Sequence, residues 1–269
     1  MKLSCASPMI PGDSLTQKAK NLRSYGYDGI AVFTEYSEWT DAMMEELREL
    51  KDKTGIQPCE FVFSDPCYGK LMHADAGKRL KAKSIYQKAA DICAQLGIVT
   101  ELEYEYCAQD PLPLFSPNQK MNDKQTTDFL RTYREVLIPT EGSNAAVLIE
   151  PINRYEAPYL NRVEDCIAVI HSLDHENSGL LLDFFHMNIE EANIVESILQ
   201  AGGLIRHVHL ADNNRLLPGY GHINWISCLQ ALKETGYDGF LSLECSAGGD
   251  ASKTLPMTAK YLRKILSVI

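Results

Sequence analysis

A chain of 269 residues, 45% of them hydrophobic, carries enough apolar material for a full core, and its length allows one barrel-sized domain or two smaller ones. The formal net charge of −10 argues against a nucleic-acid surface, which needs a basic stripe. Eight cysteines without C-x-x-C spacing read as reduced thiols of a cytoplasmic protein, residues 1–5 begin like a strand and not a signal peptide, and no apolar run approaches the roughly 18 residues of a membrane span.

Lys2–Cys5 is predicted as the first strand, and Leu15, Ala19 and Leu22 follow at helical spacing up to Gly26. A second strand is expected over 29–33, and Met43, Met44, Leu47 and Leu50 mark a helix that stops near Gly55. The third strand is 59–63. A polar loop with Pro66, Gly69 and His73 leads to a long helix with Ile85, Ala89, Ile92, Cys93 and Leu96 on one face, and Gly97 is placed to cap it in the left-handed conformation. The fourth strand, 98–102, is followed by a Pro-rich segment, 110–117, long enough to read as a lid. Phe129, Leu130, Tyr133, Val136 and Leu137 form the next helical face.

Ala146–Ile149 is the fifth strand, and Asn161 with Glu164 resembles a capping box ahead of Val163, Ile167 and Ile170. Strand six is 180–182, with a helix through Ile194, Val195, Ile198 and Leu199. Strand seven is Ile205–Leu210, with a helix through Trp225, Ile226, Leu229 and Leu232. Strand eight is Phe240–Leu243, with a last helix through Leu262, Ile265 and Leu266. Gly-Tyr-Asp-Gly precedes both strand two (26–29) and strand eight (236–239), so the same helix-to-strand turn is expected twice. Strict alternation forces parallel strands with right-handed crossovers. Eight units fit a closed α/β (β/α)8 TIM barrel in a single domain, 1–269, whose function sits at the C-terminal strand ends.

Those ends carry the chemistry. Val147-Leu148-Ile149 stops at Glu150, with Pro151 next and a second carboxylate, Glu156, six residues on; 180–182 stops at Asp183; Val208 leads to His209; and Leu241-Ser242-Leu243 stops at Glu244. Any single strand can end in a polar residue, but four in succession offering Glu, Asp, His and Glu make a metal inventory. It is oxygen-rich and suits Mn²⁺ first, with Co²⁺ or Mg²⁺ as alternatives. His186 lies three residues past Asp183, where it serves the site or simply leads the loop into a helix. His207 and His209 alternate by two and share a face; His209, nearer the strand end, is taken as the ligand and His207 as packed behind it. Arg215 returns toward the barrel mouth or stays on the surface, His222 is on the surface or behind the ligands, and Arg154 is either the partner of a nearby carboxylate or a substrate contact.

The stretches Glu150-Pro-Ile-Asn-Arg-Tyr-Glu156, Asp183-Phe-Phe-His186-Met-Asn-Ile-Glu-Glu191, His207-Val-His209, Asn214-Arg215 with Pro218-Gly219-Tyr220-Gly221, and Leu243-Glu244 resemble the xylose-isomerase-like barrels, and within them the D-tagatose/D-psicose (allulose) 3-epimerases. The resemblance is specific over about 147–249; before that it rests on strand–helix rhythm. It implies an isomerase in which Glu150, Asp183, His209 and Glu244 bind one divalent metal, Glu150 and Glu244 act as the catalytic acid/base pair, and Glu156, His186 and Arg215 contact the sugar. It also implies a homodimer or homotetramer. Ala211-Asp212 after the histidine, and Cys245-Ser246 after the last glutamate, depart from the family pattern and leave the particular sugar open.

In that chemistry a ketose passes through a cis-enediolate: one glutamate removes the proton next to the carbonyl and the other returns one on the opposite face. An aldose–ketose isomerase of hydroxypyruvate type would use the same ligands. A sugar-phosphate enzyme is the reading suggested by Gly248-Gly249, although Asp250 adjoins them and no Arg follows directly. An apurinic endonuclease would need further histidines early in the chain, where His73 stands alone before His171. A non-catalytic binding barrel is the outside reading. The expected partner is a small sugar, with no nucleic acid and no membrane.

Overall fold

The computed structural model describes residues 1–117 and 119–269. The strands are β1 (Lys2–Cys5), β2 (Gly29–Glu35), β3 (Gln57–Ser64), β4 (Val99–Leu102), β5 (Ala146–Ile149), β6 (Ser178–Asp183), β7 (Ile205–Leu210) and β8 (Phe240–Leu243). They form one parallel sheet in the order β1-β8-β7-β6-β5-β4-β3-β2. The ring is nearly closed: β1 and β2 meet through a single parallel bridge, Ala6 with Ala31. Around it run α1 (Leu15–Tyr25), α2 (Asp41–Thr54), α3 (Ala76–Leu96), α4 (Asp123–Leu137), α5 (Val163–Leu173), α6 (Phe184–Glu190), α7 (Ile194–Ala201), α8 (Trp225–Glu234) and α9 (Ala251–Leu266). This is the expected (β/α)8 architecture.

Local chemistry explains the helix limits. Ser14, Thr40 and Asp75 each accept a backbone N–H from the first turn, and Gly26, Gly55 and Gly97 close α1, α2 and α3 in the left-handed region. The repeated Gly-Tyr-Asp-Gly turn folds alike in both places. Gly26 and Gly236 have φ of 92° and 82°, and the next N–H, of Tyr27 or Tyr237, reaches back to Leu22 O (3.1 Å) or Leu232 O (3.2 Å).

Two expectations fail here. Asn161 does not cap α5: its Nδ2 donates to Ile152 O (2.8 Å) and Ala157 O (3.0 Å), which ties down the loop after β5. The first N–H of α5, on Val163, is instead accepted by Glu191 Oε1 at 2.8 Å, from beyond α6. The stretch after Asp183 is not loop but the helix α6, and Asp183 is its N-cap, accepting Phe185 N–H at 2.7 Å.

Strand pleating divides the core. Val147, Ile149, Leu180, Leu182, Val208, Leu210, Leu241 and Leu243 face the helices in the main apolar cluster. The alternate residues point into the barrel. A small apolar plug of Ala146, Leu148 and Leu181, with Val99 against it, fills one level of the interior. A polar level follows, in which Ser4 and Ser242 share a hydrogen bond and Ser242 Oγ meets His207 Nε2 at 3.1 Å. The same parity then delivers Glu150, Asp183, His209 and Glu244 to the mouth.

Candidate metal centre and substrate cavity

The four strand-end residues converge. His209 Nδ1 lies 3.8 Å from Glu150 Oε1 and 3.5 Å from Glu244 Oε2, and ligand atoms of Asp183, His209 and Glu244 fall within 4.8 Å of one another. Glu150 Oε1 and His209 Nδ1 are buried without a hydrogen-bond partner among the described residues. Unpaired buried polar atoms are costly, so an acceptor nitrogen facing carboxylate oxygens in this way fits a cation between them. The donor set, three carboxylates and one imidazole, fits a hard divalent ion.

His209 is set in that role by a residue the sequence reading passed over. Its Nε2–H donates to Glu60 Oε2 at 2.9 Å, which leaves Nδ1 as the nitrogen that faces the acids and would offer a lone pair to a cation. Glu60, on β3, is wholly buried and also meets His207 Nε2 at 3.4 Å. Burial alone would raise its carboxyl; the two histidines overcome this and hold it far below the usual carboxylate range. His207 thus sits behind His209, as expected.

Arg215 stands across the acids. Nη1 donates to Asp183 Oδ2 (2.8 Å), Nη2 to Glu244 Oε2 (2.9 Å), and the guanidinium lies over the Phe185 ring at 4.6 Å. The backbone at Arg215 is left-handed, with φ of 58°. Asp212 organises this loop: its carboxylate accepts N–H groups of Asn213, Gly219 and Ile223 and the Trp225 indole, at 2.9–3.2 Å. The departure at Asp212 is therefore the anchor of the segment that carries Arg215. His222 is exposed, the surface reading of the two.

His186, on α6, is buried, and its Nδ1 accepts from Asn153 Nδ2 at 2.7 Å. Its Nε2–H therefore points into the site, 3.9 Å from both Glu150 Oε1 and Asp183 Oδ2. Burial lowers its pKa, which favours the neutral ring. Glu156 accepts from Asn153 Nδ2 (2.9 Å) and from Tyr106 OH (3.1 Å), which places it behind both. Arg154 forms a bidentate pair with Glu190, both contacts at 2.8 Å, which decides for the carboxylate-partner reading.

Over this floor lies a cavity of about 270 Å³ whose lining includes Glu150, His186, Arg215, Glu244, Phe33 and Tyr106. Tyr68, Glu101 and Glu103 line it too, none of them foreseen. For the two glutamates a signal was present: they stand two residues apart, Glu101 in β4 and Glu103 just beyond it, and so share a face. Residues 110–117 do not line this cavity among the described residues; they border a neighbouring cleft of about 480 Å³ with Arg154. Among the described residues, no helix is long and apolar enough to cross a membrane.

The chain is 29% identical to a probable ketose 3-epimerase of Synechocystis over 227 residues, 84% of this chain and 76% of that one. It is 33% identical to the 3-dehydro-D-guloside 4-epimerase of Escherichia coli over 249 residues, 91% of this chain and 92% of that enzyme. The crystal structure of D-psicose 3-epimerase from Clostridium cellulolyticum superposes with a TM-score of 0.81 over 99% of each chain at 23% identity, which establishes a shared fold. With residues 19–265 matching the family model for these barrels, the chain belongs to the xylose isomerase-like TIM barrel family.

Proposed function

We propose that this chain is a metal-dependent ketose 3-epimerase that inverts one carbon of an unphosphorylated sugar through a cis-enediolate, with Glu150 and Glu244 carrying the protons. The broader class, an isomerase that epimerises carbohydrates, follows from the relatives. The observation behind the finer reading is the approach of Glu150 and Glu244 to one histidine nitrogen from β5 and β8, strands three apart in the ring. Inversion needs a carboxylate on each side of a planar intermediate.

Glu150, Asp183, His209 and Glu244 would hold one divalent ion, Mn²⁺ by the hardness of the set, which when bound supplies Lewis-acid polarisation of the sugar's carbonyl and hydroxyl oxygens. In the chain alone, burial lifts Glu150 to about 7, while at Glu244 the same burial is outweighed by His209 and Arg215, which hold it below the usual carboxylate range. A relay between them needs one carboxyl ionised and the other protonated at the start. The ionised one removes the proton next to the carbonyl, and the other returns a proton on the far face. His186 Nε2–H and Arg215 are the donors in reach of the oxygen that gains charge. Glu156, expected to contact the sugar, is not among the residues that line the cavity; it acts through Tyr106, which does line it, and through Asn153, which holds His186.

A free ketose is favoured over its phosphate because the turn after β8 is already satisfied. Asp250 caps α9, accepting Ser252 N–H at 3.1 Å, and it also takes the nearby Lys253 at 3.2 Å. The test is purified protein with Mn²⁺ and a ketose panel in deuterated water. The 3-epimer with deuterium at carbon 3 is expected, and Glu150→Gln or Glu244→Gln should each lower kcat by at least about 100-fold. Label at carbon 1 or 2 with an aldose as product would make the chain an isomerase instead, and near-normal turnover in either variant would reject the two-carboxylate scheme.

A further inference from the structure

One wall of the cavity has no part in the scheme above. Glu101, at the end of β4, and Glu103 beyond it are both buried and both line the cavity. Tyr68 OH lies 2.8 Å from Glu101 Oε1 and 3.3 Å from Glu103 Oε1, so one hydroxyl spans the pair, and Tyr86 OH donates to Glu103 Oε2. Three of the four carboxyl oxygens are thereby engaged. The fourth, Glu101 Oε2, is buried without a partner among the described residues, on a side chain only 5% exposed. A carboxyl oxygen of Glu101 is within 4.8 Å of side-chain oxygen and nitrogen atoms of Glu150 and His209, so the wall begins beside the candidate metal centre.

We propose that Tyr68, Glu101 and Glu103 form a subsite for the hydroxyl-bearing arm of the substrate, with Glu101 Oε2 bonded to the hydroxyl next to the reacting carbons. This rests on the ketose reading above. A buried oxygen with no partner in the protein is completed by a group that arrives with the ligand. A sugar hydroxyl matches it whichever state the carboxyl holds, because it both donates and accepts. The wall also selects against anionic sugars. The one cationic side chain lining the cavity among the described residues is Arg215, which Asp183 and Glu244 hold at the reacting end, whereas Asp65, Glu101, Glu103, Glu150 and Glu244 all face the cavity. A phosphate or carboxylate on that arm would find no donor to match its charge.

The experiment is calorimetric titration of Mn²⁺-loaded protein with the ketose, with the matching alditol, which has no carbonyl and cannot react, and with the ketose phosphate. Wild type should bind ketose and alditol, and the phosphate at least tenfold more weakly. Glu101→Ala should weaken both neutral ligands at least tenfold with Mn²⁺ affinity unchanged, in line with the loss of one hydrogen bond to a carboxyl. Tyr68→Phe, which removes no carboxyl, should weaken them in the same direction and decides the matter if Glu101→Ala does not fold. Sugar binding unchanged in the variants, a matching fall in Mn²⁺ affinity in Glu101→Ala, no sugar binding by wild type, or phosphate bound as tightly as the parent would each overturn the subsite. Binding that follows the expected pattern without any epimerisation would leave the subsite standing and remove the epimerase reading; turnover with unaffected binding would do the reverse.

Discussion

Replacing Glu60 by Gln should loosen the proposed metal centre without touching any of its four proposed ligands. Glu60 accepts the His209 Nε2–H at 2.9 Å in a wholly buried position, and that bond makes Nδ1 the nitrogen that faces Glu150 and Glu244. A glutamine is nearly isosteric, but it carries no charge and lets the amide turn its NH₂ toward the ring, which favours the wrong tautomer. Loss of a carboxylate behind a metal histidine costs about 10–100-fold in affinity, or roughly 1.4–2.7 kcal/mol at 1.36 per decade. Glu60→Ala should do more, because it also strands two buried imidazoles, His207 and His209; breaking a buried ion pair in this way costs about 3–5 kcal/mol of fold stability. Mn²⁺ titration by calorimetry, beside a thermal melt of the metal-free protein, separates the two effects. Wild-type Mn²⁺ affinity in a folded Glu60→Gln protein would refute the argument that Glu60 sets the ligand nitrogen.

The remaining expectations concern the same region. Removing metal with a chelator should lower the melting temperature, since metal held at about 1,000 times its Kd stabilises by about 4.1 kcal/mol, and Asp183→Ala should lose the bound ion and that dependence together. The gap in melting temperature between loaded and metal-free protein should widen as pH rises from about 5.5 to 8. Burial would lower His209, but Glu60 and Glu244 raise it well above its ordinary value, and burial lifts Glu150 to about 7. Both raised groups stabilise the metal-free fold at low pH and lose that contribution as pH climbs through their folded values, while the lost protons clear the ligand atoms for metal. A gap that shrinks with rising pH would contradict this, as would proton release on Mn²⁺ binding that is absent when buffers of different ionisation enthalpy are compared. Asp212→Ala should free the four donors it holds, displace Arg215 and cut kcat/KM at least about tenfold while Mn²⁺ affinity changes little; the exchange rates of the loop amides at Gly219 and Ile223 report the same event.

What the sequence determined by itself is the part governed by near neighbours. The eight strands, the glycine-closed helices and the repeated Gly-Tyr-Asp-Gly turn were legible because each depends on residues a few positions apart. Glu150, Asp183, His209 and Glu244 were legible because each breaks an apolar run at its end. Glu60 and Glu101 were not, since a carboxylate inside an apolar strand looks like an interruption until its partner is known, and the partner of Glu60 is 149 residues away. The same distance explains the misread cap: Asn161 and Glu164 have the right spacing, but the acceptor for the first N–H of α5 is Glu191, 28 residues on. Arg154 could have met a carboxylate or a ligand, and only the packing of α6 against the loop after β5 brought Glu190 to it. Which side chains turn into the barrel is set by a two-residue period written in the chain. Which of them touch is decided by the closing of the ring, which brings β3 opposite β7 and β5 within reach of β8 and leaves His209 Nδ1 facing the acids.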